Sequence, residues 1–343
     1  MIGPVGTAEN ERLTTRLGRE RFLRKQPAGF GENTTVSERI ALAAAADAKL
    51  ATATGTMSGT DPRIAAMAAE RARAALASIG RRATAMTLLL SVPEEMPESE
   101  VRGYLRPAYE TAAFEDVSIV RENRAEVLAH VSAVGVPAEM LVTADRAEAV
   151  NSEATAKTDA ADMPEEAQDA EPAWSVVMAG VTGLEGTLLL LEENRAAMEA
   201  RYPKHFLQRE EELPGEAATA ELILTGLANG ARAAVPGGDG GVYGALWKLG
   251  EKLRVGMEVE LPEIPIAQIT IEACEVTDRD PYQIPAGGCV LFVTAEPERL
   301  AEALTTTAPQ TETAVIGQLT REAARVLRNR GETRYLEPYR GGA

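Results

Sequence analysis

The stretch Pro236–Asp280 constrains the fold more than any other part of the chain. It opens on a glycine-rich turn, Pro236-Gly237-Gly238-Asp239-Gly240-Gly241. A helical run follows: Val242, Leu246, Leu249 and Leu253 recur at the spacing of one helix face, and Lys248, Glu251, Lys252 and Arg254 fall on the other. Over Val255–Leu261, Met257, Val259 and Leu261 alternate with Glu258 and Glu260, the period of a half-buried strand. Ile266–Thr277 predicts a second helix, and Asp280-Pro281-Tyr282 closes the unit. Glycines ahead of a helix allow a sharp turn, and the amides at the helix start can hold an anion. A turn made only for its shape has the same composition, so the loop alone does not decide between the two uses.

The chain has 343 residues, enough for two domains. It is 45% hydrophobic but only 4% aromatic, so aliphatic side chains and alanine must fill the core. A net charge of −17 argues against nucleic-acid backbones and anionic membrane surfaces as partners, because both need clustered cations. Cys274 and Cys289 are the only cysteines, and both sit among apolar or helical residues. They read as reduced, buried thiols of a cytoplasmic protein rather than metal ligands. No apolar run approaches a membrane span, and the N-terminus lacks a signal-peptide core.

From the N-terminus, Met1–Asn33 is polar and basic and reads as a short helix with a solvated face. Thr35–Leu50 and Asp61–Ile79 are alanine-rich helix candidates separated by a loop at Ala51–Thr60. Strands are expected at Thr84–Val92, Val117–Val120 and Ala125–Val134, with a helix at Glu98–Phe114. From Asn151 to Pro172 seven acidic residues face one lysine, with no aromatic or β-branched aliphatic side chain. Such a segment buries too little apolar area to offset its ordering entropy and reads as a flexible acidic linker. Trp174–Ala179 and Gly186–Leu191 then read as strands, Glu192–Arg201 and Glu216–Asn229 as helices. Val290–Thr294 and Thr313–Gly317 read as strands, Glu296–Thr305 as a helix and Gly331–Tyr339 as an extended end.

The wording Gly-Gly-Val-Tyr-Gly-Ala-Leu-Trp-Lys-Leu at 240–249, Val255-Gly256-Met257-Glu258-Val259, Ile264-Pro265-Ile266, Cys274-Glu275 and Asp280-Pro281-Tyr282 resembles the C-terminal domain of the aminoimidazole ribonucleotide (AIR) synthase-like, or PurM-like, superfamily. Thr182-Gly183-Leu184-Glu185-Gly186-Thr187 resembles the segment that opens that domain. In wording the chain is nearest to AIR synthase-related proteins and the ATP-dependent hydrogenase maturation factor. The resemblance implies an α/β (α+β) fold of two domains. The expected division is a basic segment at 1–33, an N-terminal domain at 34–146, the acidic linker at 147–173 and a C-terminal domain at 174–339. It also implies pairing through N-terminal-domain strands, hence a homodimer, and Mg-ATP as the superfamily's cofactor.

The polar groups that the resemblance calls for are largely replaced. Magnesium-held phosphoryl transfer requires carboxylates. The family's Gly-acid-Asp-Ala element meets Gly29-Phe30-Gly31-Glu32-Asn33-Thr34, without the aspartate. Its Asp-Ile-Ala element meets Ala75-Leu76-Ala77-Ser78-Ile79-Gly80-Arg81-Arg82-Ala83, with Ala75 at the aspartate's position. Its Gly-Gly-His-Thr-Glu stretch meets Arg121-Glu122-Asn123-Arg124-Ala125-Glu126, and only one acid and the glycines survive in Pro236–Gly241. The maturation factor's carbamoyl-accepting terminal cysteine is absent from Arg340-Gly341-Gly342-Ala343. Candidate cofactor-binding residues are therefore Gly237, Gly238, Asp239, Gly240, Gly241 and Glu185; no catalytic residue and no metal ligand set is assigned. Asp239 reads as a helix cap or a lone metal ligand. Glu185 either faces the nucleotide cleft or satisfies backbone amides. His130 and His205 read as structural, Trp247 as core or domain interface, and Arg121 and Arg124 as ion-paired surface or an anion site. Three functions follow: a diverged binding or regulatory module working beside an active relative, an ATP-dependent enzyme with a rearranged site, and a small-anion binder.

Overall fold

The apolar strands that the alternation marks at 84–92 and 125–134 are the centre of the first of two sheets. The structure, a computed structural model, describes residues 3–4, 50–138, 174–207 and 219–338. The expectations placed on 1–33, on the helix at 35–49, on the acidic segment 147–172 and on 340–343 lie outside the described residues. The chain divides into two compact units, Met1–Ala156 and Lys157–Ala343.

In the first unit, β1 (Gly3–Pro4), β2 (Ala51–Gly59), β3 (Arg81–Pro93), β4 (Asp116–Glu122) and β5 (Val127–Pro137) form a sheet of order β1-β4-β3-β5-β2. β3 and β4 run parallel, joined through helix α2 (Glu98–Thr111); the other pairs are antiparallel. Helix α1 (Ile64–Ala77) packs on the face formed by Met57, Leu88, Leu90, Val92, Ala129 and Val131, all buried. The Cα registers place Thr56 opposite His130, His130 opposite Leu89, and Leu89 opposite Ser118, so these four form one row across the other face. Thr54, Ser132, Thr87 and Asp116 form the next row.

The segment expected to loop at Ala51–Thr60 is strand β2, paired with β5 along its whole length. Its small, hydroxylated composition hid an alternation: Thr52, Thr54, Thr56 and Ser58 face outward and Gly55, Met57 and Gly59 inward. The inward residues are small because α1 lies directly on the strand. A Cβ on Gly55 would stand 1.9 Å from the Ala68 carbonyl oxygen of α1, closer than any real contact.

The second unit carries a seven-stranded sheet built from β6 (Ser175–Ala179), β7 (Ala233–Pro236), β8 (Gly256–Glu260), β9 (Val290–Thr294), β10 (Thr313–Thr320), β11 (Arg325–Asn329) and β12 (Glu332–Tyr335), in the order β12-β11-β8-β10-β6-β9-β7. Only β11 and β8 pair in parallel. Helix α7 (Gly241–Leu253) sets Val242, Leu246 and Leu249 into the core against Val176, Met257, Val259 and Leu291, as the 3.6-residue spacing requires.

The run Gly186–Leu191, expected as a strand, is instead the body of helix α3 (Leu184–Glu193). A short unbroken apolar run fits a buried helix as well as a buried strand. Gly183, at φ 69°, supplies the left-handed turn that starts the helix, and Leu184, Leu188 and Leu191 are buried. Helices α4 (Arg195–Arg201), α5 (Lys204–Leu207), α6 (Thr219–Ala228), α8 (Gln268–Thr277) and α9 (Pro297–Thr307) complete the unit. The extended end is a hairpin of β11 and β12 whose first strand the sequence reading did not include.

Candidate functional site

The loop Pro236–Gly241 links β7 to α7, and a second loop, Asp280–Cys289, lies against it. The Gly237 amide donates to the Cys289 carbonyl at 2.9 Å, and the Ala286 amide to the Gly238 carbonyl at 3.1 Å. A Cβ on Gly237 would lie 2.0 Å from the Ala286 carbonyl oxygen. Gly241 sits at φ 64°, and a Cβ there would lie 2.3 Å from the Tyr282 carbonyl oxygen. These two glycines are therefore required by contact with the chain's own backbone. Gly238 is different: the nearest group to a Cβ there is the Lys248 ammonium, at 3.8 Å.

A third segment joins the clasp. The Gly186 amide of α3 donates to the Pro285 carbonyl at 2.7 Å. Beside it Glu185 is fully buried, and its Oε2 accepts the Gly287 amide at 3.1 Å. Of the two roles open to Glu185, amide satisfaction is the one its geometry displays. The Thr187 hydroxyl donates to the Gly183 carbonyl at 2.7 Å and lies 2.8 Å from the Thr270 hydroxyl. Tyr243 and Tyr282 stack at 5.3 Å, and burial raises both phenols above their ordinary range. Burial pushes the Cys289 thiol up to about 12, with the Glu185 charge adding to it, and the Cys274 thiol up to about 11. Both cysteines are free and buried, as the sequence implied.

Asp239 is exposed and stands one residue before Gly240, the N-cap position of α7. It borders a cleft of about 440 Å³. Leu189, Leu190, Ile284 and Pro285 supply its apolar side; Glu193, Asp278, Asp280, Arg279 and Gln283 supply the rest of its polar rim. The Asp280 carboxylate is held by the Tyr282 amide and the Gln283 side-chain amide, both at 2.9 Å. Glu193, Asp278, Arg279 and Gln283 were not singled out in the sequence. The signal for them was the Asp278-Arg279-Asp280 run just after a helix, with Asp278 in a left-handed helix-ending conformation at φ 53°.

The remaining candidates lie elsewhere. Arg121 donates to the carbonyls of Pro93, Glu94 and Met96 at 3.5, 2.9 and 2.7 Å, fastening the turn after β3. Arg124 donates to the Glu126 carbonyl at 2.6 Å and pairs with Glu122 at 3.4 Å. Both arginines thus bond the chain's own backbone, the role of ion-paired surface being the one that Arg124 displays with Glu122. Ala75 is half-buried in the last turn of α1. His130 is half-buried on β5, 2.8 Å from the Thr56 hydroxyl, and His205 is exposed on α5. Trp247 is partly buried, with the Arg325 guanidinium 4.0 Å from its ring centre.

Among the described residues, the glycine loop and its cleft offer no donor set that fits Mg-ATP. Among the described residues no three His, Cys, Asp or Glu side chains are gathered so as to hold a metal ion. Gly237 and Gly241 are closed by backbone, and the cleft beside the loop carries four carboxylates against one guanidinium. Gly29–Thr34 lies outside the described residues. No helix among the described residues is long and apolar enough to cross a membrane.

Neither a family model nor a curated protein sequence matches the chain. Solved structures do. The chain is similar to E. coli HypE at 17% identity and TM-score 0.66, covering 97% of this chain and 98% of that one. It is similar to a hydrogenase maturation protein HypE in complex with ATP at 15% identity and TM-score 0.65, covering 97% and 95%. It is similar to thiamine-monophosphate kinase from Stenotrophomonas maltophilia K279a at 16% identity and TM-score 0.60, covering 93% and 96%. At these identities the likeness is one of fold, and the fold is the two-domain α/β, PurM-like one that the sequence resemblance implied.

Proposed function

We propose that this chain is a diverged PurM-like protein whose ATP-dependent activity is lost or impaired, and that it works as a binding or regulatory module. The observation that carries this reading is the use made of the glycine loop. A phosphate cradle leaves its amides and its glycine faces open to the ligand. Here Gly237 and Gly241 are packed against the carbonyls of Ala286 and Tyr282, and the Gly237 amide is spent on Cys289. Ala75 supports the same reading, because a methyl group cannot stand in for a magnesium-holding carboxylate. The module is a homodimer in this account. Its pairing surface is the outward side of the first unit's sheet, where Leu89 is 38% exposed.

Phosphate release from millimolar Mg-ATP tests the reading: the expected rate is that of buffer alone, and sustained turnover would overturn it. A second reading, an ATP-dependent enzyme of the hydrogenase-maturation or AIR-synthase type with a rearranged site, draws on one observation. Asp239 shares its cleft with Asp278 and Asp280. That reading requires turnover that falls when Asp239 is replaced by alanine.

A further inference from the structure

We infer that the cleft beside the glycine loop binds a small organic cation, an ammonium or guanidinium group carried on an apolar body. The inference rests on the binding-module reading above and gives that module a class of ligand. The cleft is ligand-sized: its volume of about 440 Å³ lies within the roughly 300–1,000 Å³ of small-molecule sites. Its wall is fixed by packing. The Ile284 side chain lies on Gly183 and Gly186, where added Cβ atoms would stand 2.9 and 2.8 Å from it. Next to it the Pro285 carbonyl accepts the Gly186 amide at 2.7 Å. Helix α3 buries Leu184, Leu188 and Leu191, whereas Leu189 is half-buried and borders the cleft. The cleft therefore keeps an apolar wall that the chain leaves partly open to solvent, the surface against which an organic body packs.

Charge sets the sign of that ligand. Glu193, Asp239, Asp278 and Asp280 share the rim with Arg279. Among the described residues Glu193, Asp278, Asp280 and Arg279 form no ion pair, so the rim is not neutralised from within. Two of the carboxylates are also held in place. Asp280 accepts the Tyr282 amide and the Gln283 side-chain amide, both at 2.9 Å. Asp278 ends α8 at φ 53°, and the next amide, that of Arg279, donates to the Cys274 carbonyl at 2.9 Å. Groups fixed in this way lose little freedom when a ligand arrives. A small anion would meet four carboxylates, and a neutral body would gain only the wall. A bare metal ion would gain nothing from the leucines, and no three His, Cys, Asp or Glu side chains among the described residues are gathered to hold one. An organic cation uses the wall and the rim together.

Isothermal titration of the full chain with phenethylamine, agmatine and spermidine, and with 2-phenylethanol as a neutral counterpart, tests this at about 50 mM and about 500 mM salt. The expected result is saturable binding of at least one amine with a dissociation constant below about 1 mM, at least about tenfold tighter than 2-phenylethanol. That affinity should fall at least about threefold at the higher salt. It should fall at least about tenfold in the double variant Glu193→Gln, Asp278→Asn. Asparagine suits the left-handed backbone at 278, and an unchanged urea midpoint shows that the variant is folded. The wild-type comparisons decide the matter if it is not. No saturable binding of any amine up to about 10 mM, equal affinity for 2-phenylethanol, or full affinity in the folded variant would overturn the inference. Tighter binding of a lysine hexapeptide than of any amine would overturn the small-molecule class. Each of these failures would leave the expected absence of Mg-ATP turnover standing, so the two readings fail separately.

Discussion

At the level of single residues, the glycines of the Pro236–Gly241 loop separate by what surrounds them. Gly237→Ala and Gly241→Ala drive a methyl group into backbone carbonyls, and each should cost about 1–3 kcal/mol in urea unfolding. Gly238→Ala, with only the end of Lys248 nearby, should change stability by less than about 0.5 kcal/mol. Equal effects at all three positions would contradict the clasp. The thiols make a second prediction. Burial holds the Cys274 and Cys289 thiols up to about 11 and about 12, whereas an unfolded thiol titrates near ~8.5. A raised acid contributes stability that is complete below the unfolded value and is lost as pH climbs toward the folded one. Urea midpoints should therefore fall between about pH 8.5 and pH 10, and fall less steeply in a variant with both cysteines replaced by alanine. An identical slope in that variant would remove the thiols from the account. Sequence alone marked the glycines and the buried thiols. It did not reveal that a loop some forty residues further along closes on the glycines, because backbone contact between distant segments leaves no local pattern.

At the level of elements, legibility followed periodicity. Helices α1, α2 and α7 and strands β3 and β5 were readable because their apolar residues recur at 3.6 or 2, whereas β9, an unbroken apolar run, was readable by its shortness and its branched and aromatic residues. Strand β2 was hidden because α1 needs glycine and small residues where a strand ordinarily shows branched ones. Helix α3 was hidden because an unbroken leucine run has no period. The cleft rim was only partly legible: Asp239 stood beside the glycines, while Glu193 and Asp278 come to it through the placing of α3 and α8. The packing of α1 on β2 is open to direct measurement. Gly55→Ala should cost about 2 kcal/mol or more, since the new methyl meets the Ala68 carbonyl at 1.9 Å. Gly103→Ala, inside α2 with nothing within 4 Å of the added carbon, should be neutral or stabilise by about 0.5–1 kcal/mol. A Gly55→Ala protein as stable as the wild type would contradict the direct seating of α1 on the strand.

At the level of the whole molecule, the proposed reading holds that a fold like that of HypE and thiamine-monophosphate kinase keeps its apolar pattern here while its polar groups change. That combination is physically consistent, because patterning and turns specify the fold, whereas magnesium chemistry depends on a few carboxylates. The electrostatics point the same way. A triphosphate brings several negative charges to a chain of −17, and the cleft beside the glycine loop is itself rimmed by Glu193, Asp239, Asp278 and Asp280 against Arg279 alone. Without a metal ion the repulsion has little to offset it. With one, a pair of carboxylates must face the phosphates, and on the proposed reading Ala75 stands in one of their places. Isothermal titration of the full chain with Mg-ATP, alongside Asp239→Ala, tests this most directly. The account predicts at most weak binding that Asp239→Ala leaves unchanged; micromolar affinity that disappears in Asp239→Ala would contradict it and establish a rearranged nucleotide site.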